Sequence, residues 1–475
     1  MDEKLSPTVE AKPFKLNYKR IFLIGFAFFG ILLLWQVYDS WCPTFLTEQF
    51  KKALGITDEN EVQYLVGIIM ALDNLAALIL LPIFGSLSDK TKSPLGKRMP
   101  YILIGTFVCA VAFPFIPLFF HYNNIIGMII MMLIVVVFAM MYRNPAVALM
   151  PDMTPKPLRS KANAIINIMG YIGGFFATLV GMIFVLSEYL KIGSDKYHNL
   201  WTIELPFIIA SALMLISAIV LFCTIKENKI AEEMKDELKR GEEFSEAAEK
   251  VEDEGPMSAA NKRMLFLILI AEFFWFMADN GIGTFMGNYT IYYLGASTRS
   301  NSINIIVGGV GSIIGFVLGG LLASKIGRKW TVTSGLTLSG LSYLVWVILS
   351  YTVLKGAAGS GTFPLPIYFI WFVKGLGMSL VHVNSFPMVV ELCPSKDIGK
   401  FTGYYYASSM AAQTITPIAL GALMLIPGNS FSFLPVYASI CLAASLAVFL
   451  FIKNVKTKKT QIKRGLEALD YEDQL

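Results

Sequence analysis

Two short patterns share a spacing: Trp35 stands four residues before Asp39, and Trp275 four before Asp279. On a helix, positions i and i+4 lie on one face, so each pair presents an indole beside a carboxylate. That combination suits a sugar, because carboxylates accept from hydroxyls and a flat indole covers the C–H face of a pyranose. Tryptophan is also common at membrane interfaces and in packed cores, which leaves a packing role open for both indoles. The other ionisable residues stranded in apolar surroundings are Asp73, Glu272, Lys374, Arg143 and His382. Asn163, Asn167 and Tyr171 repeat at helical spacing, as do Ser409, Gln413 and Thr416. Some of these polar groups are expected to bond helix to helix instead of touching a ligand.

A charge at mid-bilayer costs at least ~2.5–3.5 kcal/mol unless it is paired or wetted. These residues therefore read as substrate and coupling machinery. Counting about 1.5 Å per residue places Asp39, Asp279 and Lys374 in the outer half and Asp73 near the middle. Glu272, Arg143 and His382 fall nearer the inner side. Lys374 is the expected counter-charge for an acid, and a proton-carrying role is expected for Asp39, Asp73 or Asp279, with whichever pairs with Lys374 less suited until substrate disturbs the pair.

The elements that hold these side chains are long apolar runs. Of 475 residues, 55% are hydrophobic and only 15% charged, and the mean hydropathy is +0.61, more than a water-soluble core of this size needs. A bilayer core about 30 Å thick takes roughly 20 residues of helix and leaves no backbone group unsatisfied. Barrel strands would alternate polar and apolar, which these runs do not. The expectation is an all-α membrane protein with about twelve transmembrane helices, at 20–46, 62–86, 100–121, 125–150, 163–187, 203–225, 263–294, 302–323, 330–353, 365–391, 401–426 and 431–452. The first run leads into WCPTFL without a small-residue cleavage site, so it reads as an uncleaved helix.

Lys and Arg in the short loops set the orientation. One side collects Lys90, Lys92, Lys97, Arg98, Lys156, Arg159, Lys161, Lys325, Arg328, Lys329, Lys396, Lys400 and the tail from Lys453 to Arg464. The other has Lys51, Lys52, Lys191, Lys196, Arg299 and Lys355. Both termini are expected to be cytoplasmic. The net charge of +5 reflects this sidedness and gives no case for a nucleic-acid partner. The five cysteines are scattered without metal spacing and read as apolar packing residues.

A Glu- and Lys-rich stretch at 226–261 divides the spans into 1–225 and 262–475, and it reads as a solvated cytoplasmic tether. Sliding the second half over the first by about 240 positions superposes the two W-x3-D patterns, and one residue less puts Arg143 on His382 and Asp152 on Glu391. This is a parallel duplication of six spans, the arrangement of carriers whose halves rock about a shared site.

The loop GSLSDKTKSPLGKRMPYI carries Gly85, Asp89, Gly96, Lys97 and Arg98, and PAVALMPDMTPKPLRSKANA closes the fourth span with Asp152 and Arg159. The layout resembles the major facilitator superfamily, and the two loops resemble its sucrose-transporter and glycoside–cation symporter branch. The resemblance implies a multi-pass carrier of the inner or plasma membrane, working by alternating access without a cofactor or metal and as a monomer. It implies uptake of a sugar or glycoside with a coupling cation, H+ before Na+. The expected substrate residues are Trp35, Asp39, Trp275, Asp279, Asn163, Asn167, Lys374 and Gln413. Gly85, Asp89, Gly96, Lys97, Arg98, Arg143, Asp152, Arg159 and Glu391 are expected to gate, with Lys97 and Arg98 reaching Asp152 or Glu391 as a latch between the halves. The coupling residues of the branch do not carry over, since Val147 and Leu81 stand where relatives carry charge. The alternatives are an efflux carrier of the same fold or a sodium-coupled symporter of a non-sugar solute. An enzyme is disfavoured: the sequence has no HExxH or GxSxG, and only three histidines.

Overall fold

The computed structural model describes residues 14–192, 203–250, 257–354, 363–394, 397–426 and 428–453. Lys196, Lys355, Lys396 and the tail beyond Lys453 lie outside them. The described residues are helical, without a strand. The first half comprises α1 (Tyr18–Leu54), α2 (Gln63–Lys90), α3 (Met99–Ala112), α4 (Phe115–His121), α5 (Ile125–Asp152), α6 (Arg159–Ile183), α7 (Leu186–Ile192) and α8 (Leu205–Thr224). After α9 (Glu227–Lys250) come α10 (Ala259–Asn288), α11 (Thr298–Ile326), α12 (Arg328–Tyr351), α13 (Leu365–Leu392), α14 (Ile398–Met424) and α15 (Phe433–Leu450).

Local chemistry sets the ends. Asn17, Asn124 and Ser258 turn a side-chain oxygen onto the first free N–H groups of α1, α5 and α10, and Gly55 closes α1 with a left-handed φ of 67°. The span expected at 100–121 is interrupted by two turn residues, the second being Pro114, which divide it into α3 and α4.

Eleven helical segments among the described residues are long and apolar enough to cross a bilayer. The twelfth expected span is α14, whose 27 residues suffice in length. It is more polar, carrying Tyr404 to Tyr406, Ser408, Ser409, Gln413, Thr414 and Thr416. That composition fits a helix packed against α2 and α10, not one bathed in lipid.

Packing repeats the sequence duplication. In the first half α1 packs on α6 and α8, α5 on α2 and α3, and α3 on α8. In the second, α10 packs on α14 and α15, α13 on α11 and α12, and α12 on α15. The halves meet through α2 with α14, α6 with α11, and α1 with α10, as a two-fold axis between them requires.

The linker differs from the expected tether. Most of it is α9, a helix laid across the end of the first half that carries the amino terminus. Ile230 is buried and Met234, one turn on, packs against the core. The Phe14 and Phe244 rings meet at 5.8 Å, and the Arg240 guanidinium lies 4.4 Å over Phe14. The i, i+4 apolar spacing inside a charged sequence makes this helix amphipathic.

Candidate functional site

The stranded charges gather into two clusters, one per half. In the second, Lys374 of α13 bonds Asp279 of α10 at 2.5 Å, and His382 is an electrostatic neighbour of both. In the first, Asp73 of α2 interacts with Asp39 of α1 and Arg143 of α5. Asp39 with Arg143, and Asp279 with His382, are the duplicated positions. Lys374 and Asp73 break the symmetry, one adding a cation and the other an anion.

Asp39 is exposed and the Asp279 side chain is 34% exposed, although the turns beside them on α1 and α10 are buried. Both carboxylates therefore reach the accessible surface of their helices. Each sits in its own half's cluster, and no direct bond joins them among the described residues.

The tryptophans part company. Trp35 is half-buried, edge-on to Tyr38 at 5.6 Å. Trp275 is 0% exposed and packs within the core of the second half. On α6, Asn163 is exposed and its carbonyl accepts from the Asn167 amide at 2.8 Å. Asn167 and Thr178 lie three turns apart on one face, and Thr178 lines a small pocket between the halves with Gln36, Ser40 and Asn301. The Gln413 carbonyl accepts from Asn74 at 3.5 Å, which brings α14 beside the Asp73 cluster.

The halves are joined at the end away from the termini. Buried Asn288 of α10 accepts from the Thr44 hydroxyl at 2.8 Å and donates to Thr47 and Gln63 at 3.0 and 3.1 Å. The Tyr292 hydroxyl donates to Glu48 at 2.7 Å from a π-helical turn that follows α10. Backbones touch where Gly67 meets the Pro417 carbonyl and Gly421 the Gln63 carbonyl, contacts that a Cβ would prevent. Further bonds run from Thr298 to Ser187 and from Arg299 to the Met182 carbonyl. These bonds and backbone contacts tie the halves together at the far end.

The loop after α2 reaches other partners than the second half. Arg98 bonds Asp152 at 2.9 Å and Ser88 at 2.5 Å and pairs with Asp89; Lys97 meets Asp152 at 3.1 Å. Burial would lower the Arg98 pKa, but Asp152 and Asp89 outweigh it and raise the value. Of the two expected acids, Asp152 is the one that Lys97 and Arg98 meet, while Glu391 pairs with Arg328 inside the second half at 2.7 Å. Arg159 donates to the Thr154 and Pro151 carbonyls, closing the end of α5. Gly85 lies against the Asn144 side chain, whose amide reaches the Leu81 carbonyl at 2.5 Å.

The residue missed from sequence is Glu227, the first of α9. Its carboxylate accepts from the backbone N–H groups of Lys97, Arg98 and Met99 at 2.9–3.0 Å. These are free donors at the start of α3, where an anion is also favoured by the helix dipole. Gly96 makes room, with φ of 114° and no Cβ to strike the carboxylate. Asn228 adds bonds to the Ser93 and Pro94 carbonyls at 2.9 Å.

Comparison with known proteins now bears on this arrangement. No curated protein matches the sequence. Among solved structures, the inward-open xylose transporter XylE from E. coli is similar at 17% identity and a TM-score of 0.64, covering 95% of this chain and 99% of that one. A peptide transporter POT bound to alafosfalin, organism not named, is similar at 14% identity and 0.62, covering 94% and 95%. At these identities the likeness shows the fold alone. The model for the family described as MFS/sugar transport protein matches residues 23–391, and the chain belongs to that family.

Proposed function

We propose that this transporter takes up a sugar or glycoside by proton symport, with both termini cytoplasmic. The observation that carries the reading is the pair of acids at duplicated positions, Asp279 tied to Lys374 at 2.5 Å and Asp39 beside Asp73. A carboxylate held by a lysine is primed for exchange: a hydroxyl-rich substrate displaces one partner, and the freed charge responds to a proton. With the termini inside, the bonds that close the far end support an inward-facing state. Trp35, Asn163, Asn167 and Gln413 line the route from which substrate leaves, and Asp39 or Asp73 carries the proton. The loop at Gly85 to Arg98 and the ends of α5 and α13 gate by meeting across the halves when the inner end closes.

Uptake of labelled sugar tests this. Asp39→Asn and Asp279→Asn should each abolish accumulation against a gradient while exchange across the membrane persists. Undiminished accumulation in both variants would overturn the reading.

A further inference from the structure

Glu272 is used by nothing described so far. It lies seven residues before Asp279 on α10, two turns away on the same face, and is 0% exposed with neither carboxyl oxygen bonded. The groups that face it are few. From α14 comes Tyr405, whose hydroxyl is shared with Ser385 of α13 at 2.9 Å. From α15, Ser445 donates to the neighbouring Ala271 carbonyl at 2.9 Å. The His382 ring of α13 meets Phe276, one turn on from Glu272, at 5.7 Å and tilted by 60°. The bond from α10 to α1 is made at Asn288, at the far end of the helix. Among the described residues no cation pairs with Glu272.

A carboxylate without partner or water is strongly disfavoured in such a place. The neutral acid is not. We propose that Glu272 is a proton-binding site of the second half, loaded while the end away from the termini is closed. Its unloading follows from α14, which packs on both α10 and α2 of the other half. When that seam opens, α14 shifts Tyr405 relative to Glu272 and admits water. The carboxyl O–H bond then breaks and the proton passes to that water. The site goes beyond the symport reading: Glu272 gives up and regains its proton from the far side, so it biases the conformation without carrying a proton across, which that reading assigns to Asp39 or Asp73.

The test needs no sugar. Purified full-length protein in lipid nanodiscs is examined by infrared difference spectroscopy for the C=O stretch of a protonated, unbonded carboxyl. Spin labels at Lys52 and Ser300 report opening of the far end as pH changes. Glu272→Gln should lose the band, and its open-to-closed ratio should respond less steeply by about tenfold per pH unit, the weight of one proton. Glu272→Asp, which keeps the acid, should retain the response and guards against a variant that misfolds. An unchanged band, or an unchanged slope in folded Glu272→Gln, would overturn the proposal. If the band is lost while sugar uptake proves independent of protons, the symport reading fails and the proton site stands.

Discussion

Removing the Glu227 side chain frees three backbone donors at once, and the cost follows from the geometry. Glu227 is 4% exposed and accepts from Lys97, Arg98 and Met99. Loss of a single helix cap costs about 1 kcal/mol, and a hydrogen bond to a charged acceptor contributes about 1.5–3. Because the three bonds share one carboxylate, Glu227→Ala should destabilise by about 2–4 kcal/mol. Gly96→Ala should expel the same carboxylate and add about 1–2 kcal/mol for an L side chain at positive φ. In the double variant only that backbone penalty remains beside the loss of Glu227. The two changes should therefore be coupled by about 2 kcal/mol, inside the range seen for residues in contact. The assay is a double-mutant cycle on reversible unfolding of the purified carrier. Additivity within about 0.5 kcal/mol would refute the strap between linker and loop.

Asn288→Ala leaves the Thr44 hydroxyl and the Gln63 amide oxygen without their partner in a buried seam, a loss of about 1–3 kcal/mol that favours opening of the far end by roughly 5–150-fold; a longer distance between spin labels at Lys52 and Ser300 would read it, and an unchanged distance would contradict it. Glu204 stands one residue before α8 begins, and burial pushes its carboxyl from 4.5 up to about 7, with His121 Nδ1 at 3.7 Å. The folded state then holds this proton more tightly than the unfolded chain. That stability is fully present below pH 4.5 and is lost as pH rises through about 7. Glu204→Gln should flatten the decline by on the order of 2 kcal/mol, measured by unfolding across that pH window.

Periodicity made the spans and the duplication readable, since lipid imposes length and apolarity on every helix. It included α14 at 401–426 although polar residues such as Ser409, Gln413 and Thr416 make that span less apolar. Asp279 and Lys374 were recognisable because charges are rare in lipid and must answer one another. Glu227 was not, being 130 residues from Lys97 and ordinary among the acids of its helix; Gly96 alone hinted that something approached that loop. Trp275 shares a helical face with Asp279 by spacing, yet packing turned the indole into the core. The Asn288 seam was invisible because neutral amides and hydroxyls in apolar runs have many possible partners, and only the crossing of α1, α2 and α10 selects one set.

Proton movement coupled to sugar entry is the central claim, and medium pH in lightly buffered, de-energised cells measures it most directly. Sugars and glycosides are added one at a time to cells producing the protein. The account predicts alkalinisation with a particular sugar, abolished in Asp39→Asn. Sugar entry at constant pH in the wild-type cells would contradict it.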